Sequence, residues 1–99
     1  MTSNSNDRWV VVLTENKEIF CGKCKDYEAV PLELSGVRQA VYFSADTHGL
    51  LGLATDGPAK GSRIGPKVER MLIYRPVNII LCAPEAVETW AAAGWEQAN

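Results

Sequence analysis

The chain has 99 residues, 46% of them apolar and 22% charged, with a formal net charge of −2 and an isoelectric point near 5.3. That length fits one domain rather than two, the apolar content argues against disorder, and the near-neutral balance excludes a whole-surface preference for nucleic acid. No apolar run is long enough to span a bilayer, the first residues are polar, and the cysteines (Cys21, Cys24, Cys82) are odd in number, so a cytoplasmic protein with reduced thiols and no membrane partner is expected.

Residues 1–7 read as a disordered leader, and 8–99 as a single β-rich domain. Trp9–Thr14 contains three successive valines, which suits a strand covered on both faces. Glu15-Asn16-Lys17 is a turn in which Asn16 can take the left-handed conformation. Glu18–Lys25 is the second strand, and the short connection predicts an antiparallel hairpin. Gly22 inside it marks a bulge or a close approach of another backbone. Val30, Leu32 and Leu34 alternate with Pro31, Glu33 and Ser35, the period of a half-buried strand. Pro31 belongs at an edge or at the strand start, because it cannot donate to a ladder. Ser35-Gly36 reads as a turn, followed by a fourth strand over Val37–Ser44. There Val37, Gln39, Val41 and Phe43 share one face, and Arg38, Ala40 and Tyr42 the other. These four strands predict a meander.

The middle of the chain changes character. Asp46-Thr47-His48-Gly49 is a turn or helix cap. Leu50, Leu51, Leu53 and Ala54 suit a helical turn or two, stopped by Gly57-Pro58. Residues 57–67 form a loop with three glycines, two prolines and three basic residues. Val68–Tyr74 resumes extended structure, and Arg75-Pro76 turns the chain. Val77–Cys82 is the last strand and is placed at the centre of the sheet, because nearly every position is apolar. Pro84 opens a helix whose positive end takes Glu85 and Glu88. Ala86, Val87, Trp90 and Ala91 make its apolar stripe, Gly94 stops it, and Trp95 is placed to fold back onto the helix or the sheet. The fold class is α+β: a small antiparallel, strongly twisted or barrel-like β-sheet of about six strands, with a short middle helix and a C-terminal helix.

The sequence carries no pattern of catalysis. Cys21 and Cys24 have the short spacing of a zinc pair, but strand alternation points them to opposite faces, and nothing ties His48 or Cys82 to them. No metal, no cofactor and no enzyme activity are expected. The flanks of the Cys-x-x-Cys stretch are β-type, so the helix N-terminus that stabilises a redox thiolate is missing. His48 is the sole histidine. It could serve as a base, yet no nucleophile and orienting acid are patterned around it, and a solvated turn or cap explains it better. Glu85 and Glu88 are explained by their place at a helix start.

The loop 57–67 is the leading candidate for a site. Successive backbone N–H groups of a Gly-rich loop can form an anion nest, to which Lys60, Arg63 and Lys67 add charge and Ser62 a hydroxyl. The Gly-Lys-Ser/Thr ending of a P-loop is absent. The candidate ligand-binding residues are Lys60, Gly61, Ser62, Arg63 and Lys67, together with Arg38, Tyr42 and His48. Trp9, Tyr42, Phe43, Trp90 and Trp95 could form a stacking platform for bases, although core packing or a subunit contact explains the tryptophans as well.

Several short stretches resemble a family of small bacteriophage and prophage proteins of unknown function. They are Phe20-Cys21-Gly22-Lys23, then Arg38 with Tyr42-Phe43, then Leu50-Leu51-Gly52-Leu53-Ala54 before Gly57-Pro58. The ending Cys82-Ala83-Pro84-Glu85-Ala86, leading to Trp90 and Trp95, completes the likeness, which covers about residues 9–95. The resemblance supplies no catalytic residue. It implies an accessory protein made during infection, in the cytoplasm of the host cell. The expected function is therefore a non-catalytic homo-oligomer that binds a phosphate-bearing small molecule. By analogy, that molecule is a nucleotide signal of host immunity held in sequestration. The alternatives are an inhibitor that docks on a host defence or regulatory protein, or a single-stranded nucleic-acid binder.

Overall fold

The computed structural model describes residues 7–94. The chain order is β1 (Arg8–Thr14), β2 (Ile19–Cys24), β3 (Leu32–Tyr42), a single 3-10 turn (Ala45–Thr47) and α1 (Gly49–Thr55). Then come β4 (Arg63–Ile64), β5 (Val68–Ile73), β6 (Pro76–Leu81) and α2 (Pro84–Ala92). The strands make one antiparallel sheet in the order β4-β3-β2-β1-β6, with β5 also pairing β3. The α+β class, the short middle helix and the C-terminal helix match expectation. The leader expected at residues 1–7 lies, apart from Asp7, outside the described residues, and so does Trp95.

The hairpin of β1 and β2 closes as predicted, with Lys17 N–H donating to the Thr14 carbonyl at 2.9 Å. The left-handed residue is Lys17 (φ 69°), not Asn16. Hairpins of this length place that conformation at the last loop position, where the chain re-enters the strand.

The two strands expected on either side of Ser35-Gly36 are one strand, β3. Cys21 pairs Arg38 and Lys23 pairs Ser35, so Gly36 and Val37 together face Gly22 alone. This is a β-bulge, and Gly36 enters it at φ +60°. A left-handed glycine within a strand bends the chain without ending its ladder. Gly22 marks the bulge rather than a close approach of another backbone: it lies opposite the extra residue, and a Cβ there would meet side chains, at 3.0 Å from Leu34 Cβ.

On the far side of β3, β4 and β5 lie end to end. Ala40 pairs Ile64, Tyr42 pairs Arg63, and Val37 pairs Val68. They behave as one strand interrupted by Gly65-Pro66-Lys67, where the proline cannot donate. So the sixth strand comes from inside the expected loop.

β6 is an edge strand rather than the central one, with Val77 58% and Leu81 48% exposed. Its apolar composition misled because an uncharged strand resembles a covered one. β5 and β6 lie at opposite sides of the sheet yet are joined only by Tyr74-Arg75. The sheet must therefore coil until its edges approach at that end, where Glu15 N–H donates to the Arg75 carbonyl. Among the described residues no ladder links β5 to β6, and the sheet is open rather than a closed barrel.

Coiling gives the sheet two covered faces. Val10, Val12, Phe20, Leu32, Leu34 and Ile73 fill the concave side. Val11, Cys21, Ala40 and Ile64 meet Leu53 and Ala54 of α1 and Ala86 and Trp90 of α2 on the other. The three valines of β1 are fully buried because both faces are used.

Candidate functional site

α2 is pinned over the sheet by two side chains. The Trp90 Nε1–H donates to the Leu53 carbonyl at 3.0 Å. Arg38, on β3, donates from Nη1 to the Trp90 and Ala93 carbonyls at 2.8 and 2.6 Å. Its Nε donates to the Gly65 carbonyl at 2.9 Å and its Nη2 to the Ile64 carbonyl at 3.4 Å. The guanidinium thus joins the negative end of α2 to the break between β4 and β5. A positive charge is favoured at that end of a helix.

Beside this clamp the helix stands off the sheet and leaves a cleft of about 390 Å³. Cys21, Arg38 and Trp90 form its base, and Val87 and Ala91 of α2, with Ala93 just past the helix end, its wall. Trp9, Gly36 and Lys67 line its mouth. The volume lies within the range of small-molecule sites, which are mostly apolar with a few placed polar groups. The sheet register explains the grouping. Trp9 pairs Lys23 and Lys23 pairs Ser35, forming one cross-strand row; Val11, Cys21 and Arg38 form the next. Alternation sends both rows to the helix side. At Gly36 a Cβ would lie 3.4 Å from Trp9 Cη2 and 3.5 Å from Lys67 Cε. The indole edge and the lysine stem therefore converge over a residue with no side chain. A shallower groove continues from Trp9 and Lys67 past Lys23, Ser35 and Glu69.

The expected site residues divide among several places. Arg38 and Lys67 share this cleft, with Arg38 bound to backbone carbonyls and Lys67 exposed. Lys60 and Ser62 line another groove beside α2, together with Glu88 and Thr89. Ser62 is buried, and its hydroxyl accepts the Ser44 N–H at 3.2 Å. Ser44 Oγ in turn donates to the Lys60 carbonyl, so this part of the loop is organised by its own hydrogen bonds. Gly61 takes φ +92° in the turn. Arg63 lies in β4 opposite the exposed Tyr42. His48, exposed and left-handed at φ 68°, caps α1 and lines neither groove.

Trp9, weighed only for a stacking platform, and Lys23, Gly36 and Val87 are cleft or groove residues outside the expected ligand-binding set. The signal for two of them was present. The short turn after Thr14 sets the hairpin register, and that register places Trp9 beside Lys23.

The cysteines divide as strand alternation requires. Cys24 joins the concave core, while Cys21 joins the helix-side core and meets Cys82 at 4.0 Å between sulfurs. The Cys21 thiol is pushed far up, first by its hydrogen bond to Cys82 and then by burial. The same hydrogen bond lowers Cys82, against its partial burial. β1 separates the two chain segments. Both thiols are free.

The molecule is thus a coiled, open antiparallel α+β sheet domain with a small-molecule-sized cleft under its C-terminal helix. The chain belongs to the family described as a domain of unknown function, DUF6948, which matches residues 7–90. No curated protein and no solved structure matches it. Among the described residues, no helix is long and apolar enough to cross a membrane.

Proposed function

We propose that the protein is a non-catalytic binder of a small molecule carrying both a flat ring and a phosphate, a nucleotide being the natural class. The observation that carries this reading is the convergence of Trp9 and Lys67 over Gly36 at the mouth of the cleft. An aromatic ring offers any base a stacking surface. The exposed ammonium groups of Lys67 and Lys23 stand beside it for a phosphate. The Lys60 groove suits an anion less well, because Glu88 lines it. Glu69 lowers the charge of the outer groove, which favours a small ligand seated in the cleft over a long polyanion. The resemblance to small phage and prophage proteins gives this chemistry a setting, the sequestration of a nucleotide signal of host immunity.

Fluorescence and thermal-shift titrations with AMP, a cyclic dinucleotide, inorganic phosphate and an oligo-dT strand test the reading. A nucleotide is expected to quench Trp9 and raise the melting temperature by mass action. Trp9→Ala and Lys67→Ala should each weaken that response at least about tenfold, as loss of one stacking or charged contact implies, whereas Lys60→Ala should not. The reading is overturned if no nucleotide produces either signal. Steeply salt-dependent binding of oligo-dT alone would replace it with single-stranded nucleic-acid binding.

A further inference from the structure

We infer that the protein forms a two-fold symmetric dimer by pairing β6 of one copy antiparallel with β6 of a second, continuing the sheet across both chains. An open sheet has two edges, and soluble proteins ordinarily guard such edges with charged side chains. The β5 edge has this protection: Glu69 and Arg70 lie within it, and Arg70 is ion-paired to Glu33. The β6 edge does not. From Val77 to Leu81 it reads Val-Asn-Ile-Ile-Leu with no charge, and both ends of that stretch are largely exposed.

The register with β1 shows which backbone groups are free to pair. Cys82 N–H donates to the Trp9 carbonyl, and in an antiparallel ladder the direction of bonding alternates along the strand. Asn78 and Ile80 therefore turn their N–H and C=O groups towards β1. Val77, Ile79 and Leu81 turn theirs outward. Placing a two-fold axis at Ile79 sets Ile79 opposite its own copy and Val77 opposite Leu81 of the second copy. Every outward N–H then meets an outward C=O. No like charges are opposed, and the facing side chains are apolar. Self-complementarity makes a second copy of this chain the partner, as an isologous contact requires. The side chains of Val77, Ile79 and Leu81 share the concave face, because Val12 pairs Ile79 and Val10 pairs Leu81. The pairing would cover the exposed Val77 and Leu81 there. The inference is independent of the nucleotide reading, since none of these residues lines the cleft.

Sedimentation velocity across a micromolar concentration range tests it. The expected species has twice the 10.8 kDa chain mass. Val77→Lys with Leu81→Lys places lysine against lysine at both outer pairs and should give a monomer. Val77→Lys with Leu81→Glu places lysine against glutamate at the same two pairs and should restore the dimer. Circular dichroism checks that both variants fold. Val68→Lys, on the opposite edge, should leave the mass unchanged. A wild-type chain that stays monomeric overturns the inference. So does a dimer that survives the double-lysine change, or a Lys–Glu variant no more dimeric than the double-lysine one.

Discussion

At the scale of single residues, two positions carry unusual chemistry. Lys17 holds a positive φ in an exposed turn, a conformation that costs a residue with a Cβ about 1 kcal/mol relative to glycine. Lys17→Gly is therefore expected to stabilise the fold by roughly 0.5–1 kcal/mol, read as a higher urea midpoint with an unchanged slope. Cys82 is the second. Its hydrogen bond with Cys21, in which either sulfur can be the donor, lowers Cys82 and raises Cys21, while burial raises Cys21 further and raises Cys24. A lowered pKa means that thiolate is present at lower pH. Iodoacetamide should therefore label Cys82 first, with a pH midpoint below that of a free thiol. Cys21→Ala removes the hydrogen bond and should move that midpoint upward. Equal labelling of all three cysteines, or a midpoint indifferent to Cys21, would contradict the assignment.

At the scale of elements, the joints are built from glycine and arginine. Gly57 ends α1 at φ +85°, with its N–H on the Gly52 carbonyl at 3.1 Å. A Cβ there would lie 2.6 Å from Thr89 Cβ on α2. Gly57→Ala adds both strain and a clash between helices, and a loss of roughly 2–3 kcal/mol is expected in urea unfolding. Arg38 acts at the C-terminal end of α2, where its donors meet carbonyls from the helix terminus and from the β4–β5 break. Arg38→Ala should destabilise by about 2–3 kcal/mol through the loss of charge-assisted hydrogen bonds. Hydrogen exchange should accelerate most along the C-terminal turn of α2. Arg38→Lys should recover only part of this, because an ammonium lacks the guanidinium fork. A variant as stable as wild type would show that water replaces the guanidinium at these carbonyls.

At the scale of the whole molecule, the cleft under α2 and the β6 edge share no lining residue, so their effects should add. The double-lysine change on β6 should leave the nucleotide-induced thermal shift intact, and Trp9→Ala should leave the dimer mass intact. A dimer also predicts a melting temperature that rises with protein concentration. The covered strand β1, the hairpin, α1 with its Gly57-Pro58 stop and the Ala86 and Trp90 part of the α2 stripe were legible in the residue order, whereas Ala91 of that stripe is exposed. Each depends on local periodicity or on turn chemistry that neighbours in sequence dictate. Gly36 was legible as a break but not as a bulge, because the same left-handed glycine serves a turn or a kinked strand, and only the partner strand β2 decides between them. The apolar string Val77–Leu81 could not disclose its place at an edge, since strand order depends on pairings distant in sequence. For the same reason, the sequence pointed to the basic loop as one site, while the fold sent Lys60 and Ser62 to one side of α2 and Lys67 to the other. Sequence alone determined the class of this protein and most of its elements. The tertiary structure alone decided that Trp9, Lys67 and Gly36 meet at one cleft mouth, because the coil of the sheet and the docking of α2 bring together residues that no local pattern links.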